Sequence, residues 1–82
     1  MPKGKHDVTV YMAEWCPWCH RAMEWMKENK ISFKSIDVEK NPKAAQDMVK
    51  KSGQTGIPVI DIDGQIIIGF NVEALKKALG MK

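Results

Sequence analysis

The chain carries only two cysteines, Cys16 and Cys19, three positions apart with Pro17 and Trp18 between them. Eighty-two residues leave room for a single domain, expected to span 1–82, and a domain of this size buries only roughly 60% of its unfolded surface. Small folds are therefore often reinforced by disulfides or a metal. A bridge between Cys16 and Cys19 would close a loop of four residues. Chain-entropy arithmetic gives such a loop about 2 kcal/mol, against about 4.7 for a loop of a hundred, before strain is subtracted. The pair is thus a poor staple, and a secreted disulfide framework is excluded. Two cysteines are also half of a four-cysteine zinc site, and His6 and His20 do not stand at finger spacing. The spacing directs both thiols toward chemistry and leaves the fold to stand on its own core.

Composition removes other classes. Apolar runs such as Ile66 to Phe70 stop after five residues, far short of the roughly 18 to 20 of a membrane span. The start, Met1 to Asp7, is polar, and the apolar segment behind it is too short and interrupted for a signal peptide. A cytoplasmic protein without a membrane partner is expected. Thirteen basic and ten acidic residues give a net charge of +3, with lysines spread from Lys3 to Lys82 and no sustained block. Nucleic-acid binding by a basic stripe is not supported.

Periodicity yields one string of alternating elements. Asp7 to Met12 clusters Val8, Thr9, Val10 and Tyr11 as a first strand. Trp15-Cys16-Pro17 starts a helix, since proline is favoured at the first helical position. Cys19, Ala22, Met23 and Met26 continue it at helical spacing to about Lys30. Phe33 to Val38 is a second strand. Asn41 before Pro42 caps a second helix, striped by Ala44, Ala45, Met48 and Val49 and ended by Ser52-Gly53. Ile57 to Ile62, the turn Asp63-Gly64 and Gln65 to Ile68 form a hairpin. Val72 to Leu79 closes the chain as a short helix stopped by Gly80. The order β-α-β-α-β-β-α predicts an α/β fold with a four-stranded mixed sheet, the first two strands parallel, the last two antiparallel, and three helices on its faces.

Placing Cys16-Pro17-Trp18-Cys19 where a strand hands over to a helix has a chemical reason. A free thiol with pKa near 8.5 is only about 3% ionised at pH 7, and unpaired N–H groups at a helix N-terminus favour the thiolate. Cys16 is expected to be the nucleophile. Cys19, one turn into the helix and beneath its partner, is expected to resolve the mixed disulfide. Cys16-x-x-Cys19-His20 also spells a c-type haem attachment pattern, but the strands around it leave no helical haem pocket. His20 reads as a solvated first-turn residue that, with Arg21, adds positive field near Cys16 while Glu14 opposes it. Trp15 and Trp18 suit a docking surface beside a reactive thiol, and Trp25 reads as packing. Pro58, taken alone, would be a trans proline opening an edge strand.

Together these residues resemble the glutaredoxins, a branch of the thioredoxin superfamily. The likeness spans nearly the whole chain. Cys16-Pro17-Trp18-Cys19 is similar to the family's CPYC, Thr55-Gly56-Ile57-Pro58 to its TVP segment, and Gly69 to a glycine after the last strand. The resemblance implies a thioredoxin fold of glutaredoxin type and a thiol-disulfide oxidoreductase that reduces protein or small-molecule disulfides by a dithiol mechanism. It implies a cis Ile57-Pro58 peptide facing the cysteines, whose Ile57 backbone pairs with an extended substrate. Pro17, Trp18, Gln54, Ile57, Pro58 and Gly69 become substrate-binding residues, Gln54 by contacting the glycine carboxylate of glutathione. No bound cofactor or metal is implied, and a monomer is expected. Electrons would come from glutathione or from a flavoenzyme of the thioredoxin-reductase kind. A reading from another class makes the two cysteines a metal-binding or iron-sulfur module, which the proline in the motif disfavours.

Three positions depart from the family pattern. Ala13 stands where a basic residue is usual, Phe70 follows Gly69 in place of a second glycine, and Asn71-Val72-Glu73 replaces an acidic pair. Losing a carboxylate-binding lysine removes about 1 kcal/mol or more of charge-assisted binding, and Phe70 is expected to crowd the ligand. Both weaken the case for glutathione, not for dithiol chemistry.

Overall fold

The computed structural model describes residues 6–81. The elements are β1 (Val8–Met12), α1 (Pro17–Glu28), β2 (Lys34–Asp37), α2 (Pro42–Ser52), β3 (Val59–Ile62), β4 (Gln65–Ile68) and α3 (Val72–Leu79). Their order is the expected one, and boundaries move by one or two residues. β3 opens at Val59 and not at Ile57, since Pro58 has no N–H to give to the ladder; the Ile57-Pro58 peptide is cis. The bond has the cis form that the resemblance implies, and not the trans form that Pro58 taken alone would suggest.

The sheet runs β2-β1-β3-β4. β1 pairs in parallel with β2, Tyr11 facing Ile36, and antiparallel with β3, Val10 facing Ile60. β3 and β4 form the hairpin, with Asp63 and Gly64 at positive φ in its turn. Strand side chains alternate between faces, and the sheet uses both. Val8, Val10, Met12, Ile60 and Ile62 join Ala22 and Met26 of α1 with Leu75 and Leu79 of α3. On the other face Tyr11 and Val59 meet Ala44 and Met48 of α2. The sheet is the middle of three layers. Fully burying one such aliphatic side chain is worth about 1.5 to 3 kcal/mol, which is how a fold of this size stands with both cysteines free.

Each helix is capped by the side chain before it. Asn41 accepts the Ala44 N–H and Asn71 the Ala74 N–H, each at 3.1 Å. For α1 the capping atom is a sulfur, Cys16 Sγ. At the other ends, α2 and α3 stop at Gly53 and Gly80 with φ of 74° and 72°, a left-handed conformation that glycine adopts without penalty. The residues that lead into β1 are held by Asp63, whose carboxylate receives the His6 ring and the Asp7 N–H.

Candidate active site

The site begins with a turn. Cys16 N–H donates to Ala13 O at 3.1 Å, bringing the chain off β1, and Pro17 supplies the first helical residue. Cys16 is extended, with φ −84° and ψ 108°, so its Sγ swings back over the helix start and accepts the Cys19 N–H at 3.1 Å. Cys16 is 4% exposed and Cys19 fully buried. Burial pushes the Cys19 thiol up to about 12, and its hydrogen bond to Cys16 acts in the same direction. The two sulfurs thus sit in the order expected of them, with the second more deeply placed, though the first is also nearly closed to solvent.

The loop before Cys16 is tied down on two sides. Glu14 O accepts from His20 Nε2 at 2.7 Å; because a carbonyl only accepts, that ring nitrogen carries a proton. His20 is therefore exposed, as expected, but holds the loop. Glu14, expected to oppose the positive field, is itself paired with Lys40 at 3.0 Å. Trp15 Nε1 donates to Glu39 Oε2 at 2.7 Å. Asp37 Oδ1 in turn accepts the N–H groups of Glu39 and Lys40 at 2.9 and 3.3 Å, shaping the turn that presents both partners. Glu39 and Lys40 went unread in the sequence, where nothing local connects charged residues 24 and 26 positions away.

Two indoles flank the nucleophile position. Trp15 is 64% and Trp18 58% exposed, and the Arg21 guanidinium lies over the Trp18 ring, 5.1 Å from its centroid. Trp25 packs, as expected, and its partner is Phe70, edge-on at 6.5 Å between centroids. The Phe70 ring expected to crowd a ligand is thus turned toward α1. Ala13 is fully buried, so no charge stands there.

One residue ahead of the β1–β3 ladder, which ends with Tyr11 facing Val59, Pro58 is buried and its C=O accepts the N–H of Gly69 at 2.8 Å, with Gly69 at φ 82°. Ile57 packs against the cluster that holds both cysteines. Gln54, expected to reach a ligand carboxylate, has both ends of its amide bonded to Gly56. Asn71, read as the remnant of an acidic ligand pair, caps α3. Among the described residues no group of three or more metal-ligating side chains forms.

A buried dithiol at a helix start, with a cis proline just ahead of β3 in a four-stranded mixed sheet, defines a redox protein of the thioredoxin fold. A family model described as Glutaredoxin matches residues 8–67. The chain is 38% identical over 72 residues to an uncharacterized glutaredoxin-like 8.6 kDa protein in the rubredoxin operon of Clostridium pasteurianum, covering 88% of this chain and 96% of that protein. It is 38% identical over 63 residues to Glutaredoxin 3 of Escherichia coli K12, covering 77% and 76%. A crystal structure of a mutant of the thioredoxin-like protein BC3987 superposes with a TM-score of 0.86 at 28% identity, covering 93% of this chain and 97% of that one. The chain belongs to the glutaredoxin family.

Proposed function

We propose that the protein, acting as a single domain and a monomer in the cytoplasm, reduces disulfides of proteins or small molecules through both cysteines. Cys16 Sγ attacks one sulfur of the substrate disulfide; the other leaves and takes up a proton. Cys19 then gives up its proton, attacks Cys16 Sγ and expels the second substrate thiol, leaving a Cys16–Cys19 disulfide. Two electrons pass to the substrate and two protons end on its sulfurs. The Ile57 backbone steadies the mixed disulfide beside Pro58, with Pro17, Trp18 and Gly69 lining the approach. The observation that carries this reading is the Cys19 N–H held on Cys16 Sγ at 3.1 Å, a helix-start donor aimed at the atom that must bear negative charge.

Cys16→Ser is expected to abolish disulfide reduction, and Cys19→Ser to accumulate mixed disulfides visible by mass spectrometry. Full activity in Cys16→Ser would sink the mechanism.

For the electron source, a thioredoxin-reductase-type flavoenzyme is favoured over glutathione by two observations: the closed Gln54 amide and the buried Ala13. Coupled assays with each reductant decide it. Faster turnover with glutathione would reverse the preference. The metal or iron-sulfur reading is checked by iron content and colour after anaerobic purification.

A further inference from the structure

Between α2 and the cis proline the chain makes a small side-chain clasp. Gly56 N–H donates to Gln54 Oε1 at 2.7 Å, and Gln54 Nε2 donates back to Gly56 O at 3.0 Å. A primary amide offers one acceptor and one donor side by side, as a peptide group does, so Gln54 pairs with Gly56 much as a neighbouring strand would. The clasp is rooted in the end of α2. Ser52 Oγ lies 2.7 Å from Met48 O, and both nitrogens of Gln54 approach that hydroxyl at 3.4 Å.

Gly56 is fitted to this arrangement. Its φ is not among the positive ones, so the backbone does not itself ask for glycine. A Cβ at this position would stand 2.7 Å from Gln54 Oε1, with only that side chain within reach. The space a Cβ would need is filled by the clasp. The next residue is Ile57, whose N–H and C=O find no hydrogen-bond partner among the described residues, and then comes Pro58.

We propose that Gln54 is a positioning residue for disulfide substrates. Acting through Gly56, it holds the open Ile57 peptide groups in the one geometry that an extended chain beside the disulfide can pair with. This rests on the oxidoreductase reading above. It assigns Gln54 a different role from contact with a glutathione carboxylate, since the amide that would make that contact is already satisfied. Holding a docking backbone in place lowers the ordering cost of binding, so the benefit falls on substrates that have a backbone to pair.

The test compares two substrates in single turnover with pre-reduced protein, which needs no external reductant. One is a peptide disulfide with several residues on each side of the cysteine; the other is bis(2-hydroxyethyl) disulfide, which has no peptide group. Gln54→Ala should raise the half-saturating peptide concentration roughly three- to tenfold, the loss of one or two modest hydrogen bonds. The limiting rate and the bis(2-hydroxyethyl) disulfide response should stay within about twofold. Gly56→Ala should do the same by evicting the amide, and the double variant should be no worse than either single one. Gln54→Glu, which keeps the acceptor and loses the donor, should fall between. An unchanged peptide response, an equal shift for both substrates, or additive effects in the double variant would overturn the proposal. So would a loss confined to a glutathione mixed disulfide, which would return Gln54 to ligand contact.

Amide exchange at Gly56 gives a readout independent of activity. Protection in the wild type that is lost in Gln54→Ala supports the clasp, and equal exchange in both refutes it. A wild type that reduces neither disulfide would defeat the oxidoreductase reading, while the exchange comparison would still decide the clasp.

Discussion

Cys16 and Cys19 lie within one turn of each other, and burial holds the Cys19 proton hard. A thiol at about 12 is ionised to roughly one part in 100,000 at pH 7. Burial, the largest cause, survives in Cys16→Ser although the interactions with the Cys16 thiol do not. Cys19 there should therefore alkylate with iodoacetamide at pH 7.5 more slowly than a free cysteine, by about tenfold or more, and acid-quenched time courses would show it. Rapid labelling would mean that the sulfur is not enclosed as described. The pair itself was legible in the sequence, because a proline at a helix start and a preceding strand suffice to place two thiols three residues apart. Gln54 was not. Whether a surface amide reaches a ligand or folds back on its own loop depends on where Gly56 lies, which residue identity does not encode. Trp15 was legible as exposed, but its tie to Glu39 was not, since that pair forms only when the β2–α2 turn returns beside the site.

The helices depend on their first residues. α3 has only eight residues, Val72–Leu79, and a helix that short draws little on its own propagation. Asn71→Ala should cost about 1 kcal/mol of stability, the usual worth of an N-cap, read as a fall in the urea midpoint at unchanged slope. A neutral result would mean that packing of Leu75 and Leu79 holds the element unaided. Asn41-Pro42 and Gly53 announced the ends of α2 in sequence because cap, proline and glycine each have a local backbone preference. Asn71 carries the same local signal, but its place in the family pattern drew it toward a ligand role. The parallel β1–β2 pair and the β3–β4 hairpin were legible from the connections that join them. The central β1–β3 pairing was not, because no turn links those strands and only the closing of two cores selects it.

At the scale of the molecule, one polar network bridges the sheet and α2. Lys51 Nζ donates to Tyr11 Oη and to Asp61 Oδ2, each at 2.9 Å. The hydrogen bond it gives to Tyr11 and then that to Asp61 hold the Lys51 ammonium above its ordinary range. Lys51 is partly exposed, so most of the value lies in satisfying the Tyr11 hydroxyl, which is 4% exposed as a residue. Lys51→Met should destabilise by about 1 kcal/mol, and calorimetry at neutral pH checks it. A raised lysine stabilises fully below its unfolded pKa and loses that contribution as pH climbs through the folded value, so the network fails only above about pH 10.4. Asp63 behaves oppositely. His6 and then the Asp7 N–H hold its carboxyl low, so its contribution is present above about pH 3.9 and disappears as pH falls below that toward the folded value. Denaturation midpoints followed over pH should therefore change at the two extremes; a flat midpoint above about pH 10.4 or below about pH 3.9 would contradict these assignments. None of these partners was visible in the sequence, where Lys51 stands 40 positions from Tyr11.

The sulfur cap on α1 extends past the site. Asparagines that cap α2 and α3 are inert, whereas Cys16 Sγ changes its ability to accept the Cys19 N–H whenever it gains or loses a covalent partner. Oxidation state and folding free energy are therefore linked variables in this molecule, and the linkage is reciprocal. Whatever firms or loosens the first turn of α1 differently in the two states must move the balance between dithiol and disulfide by the same free energy, even from a residue that never meets a substrate.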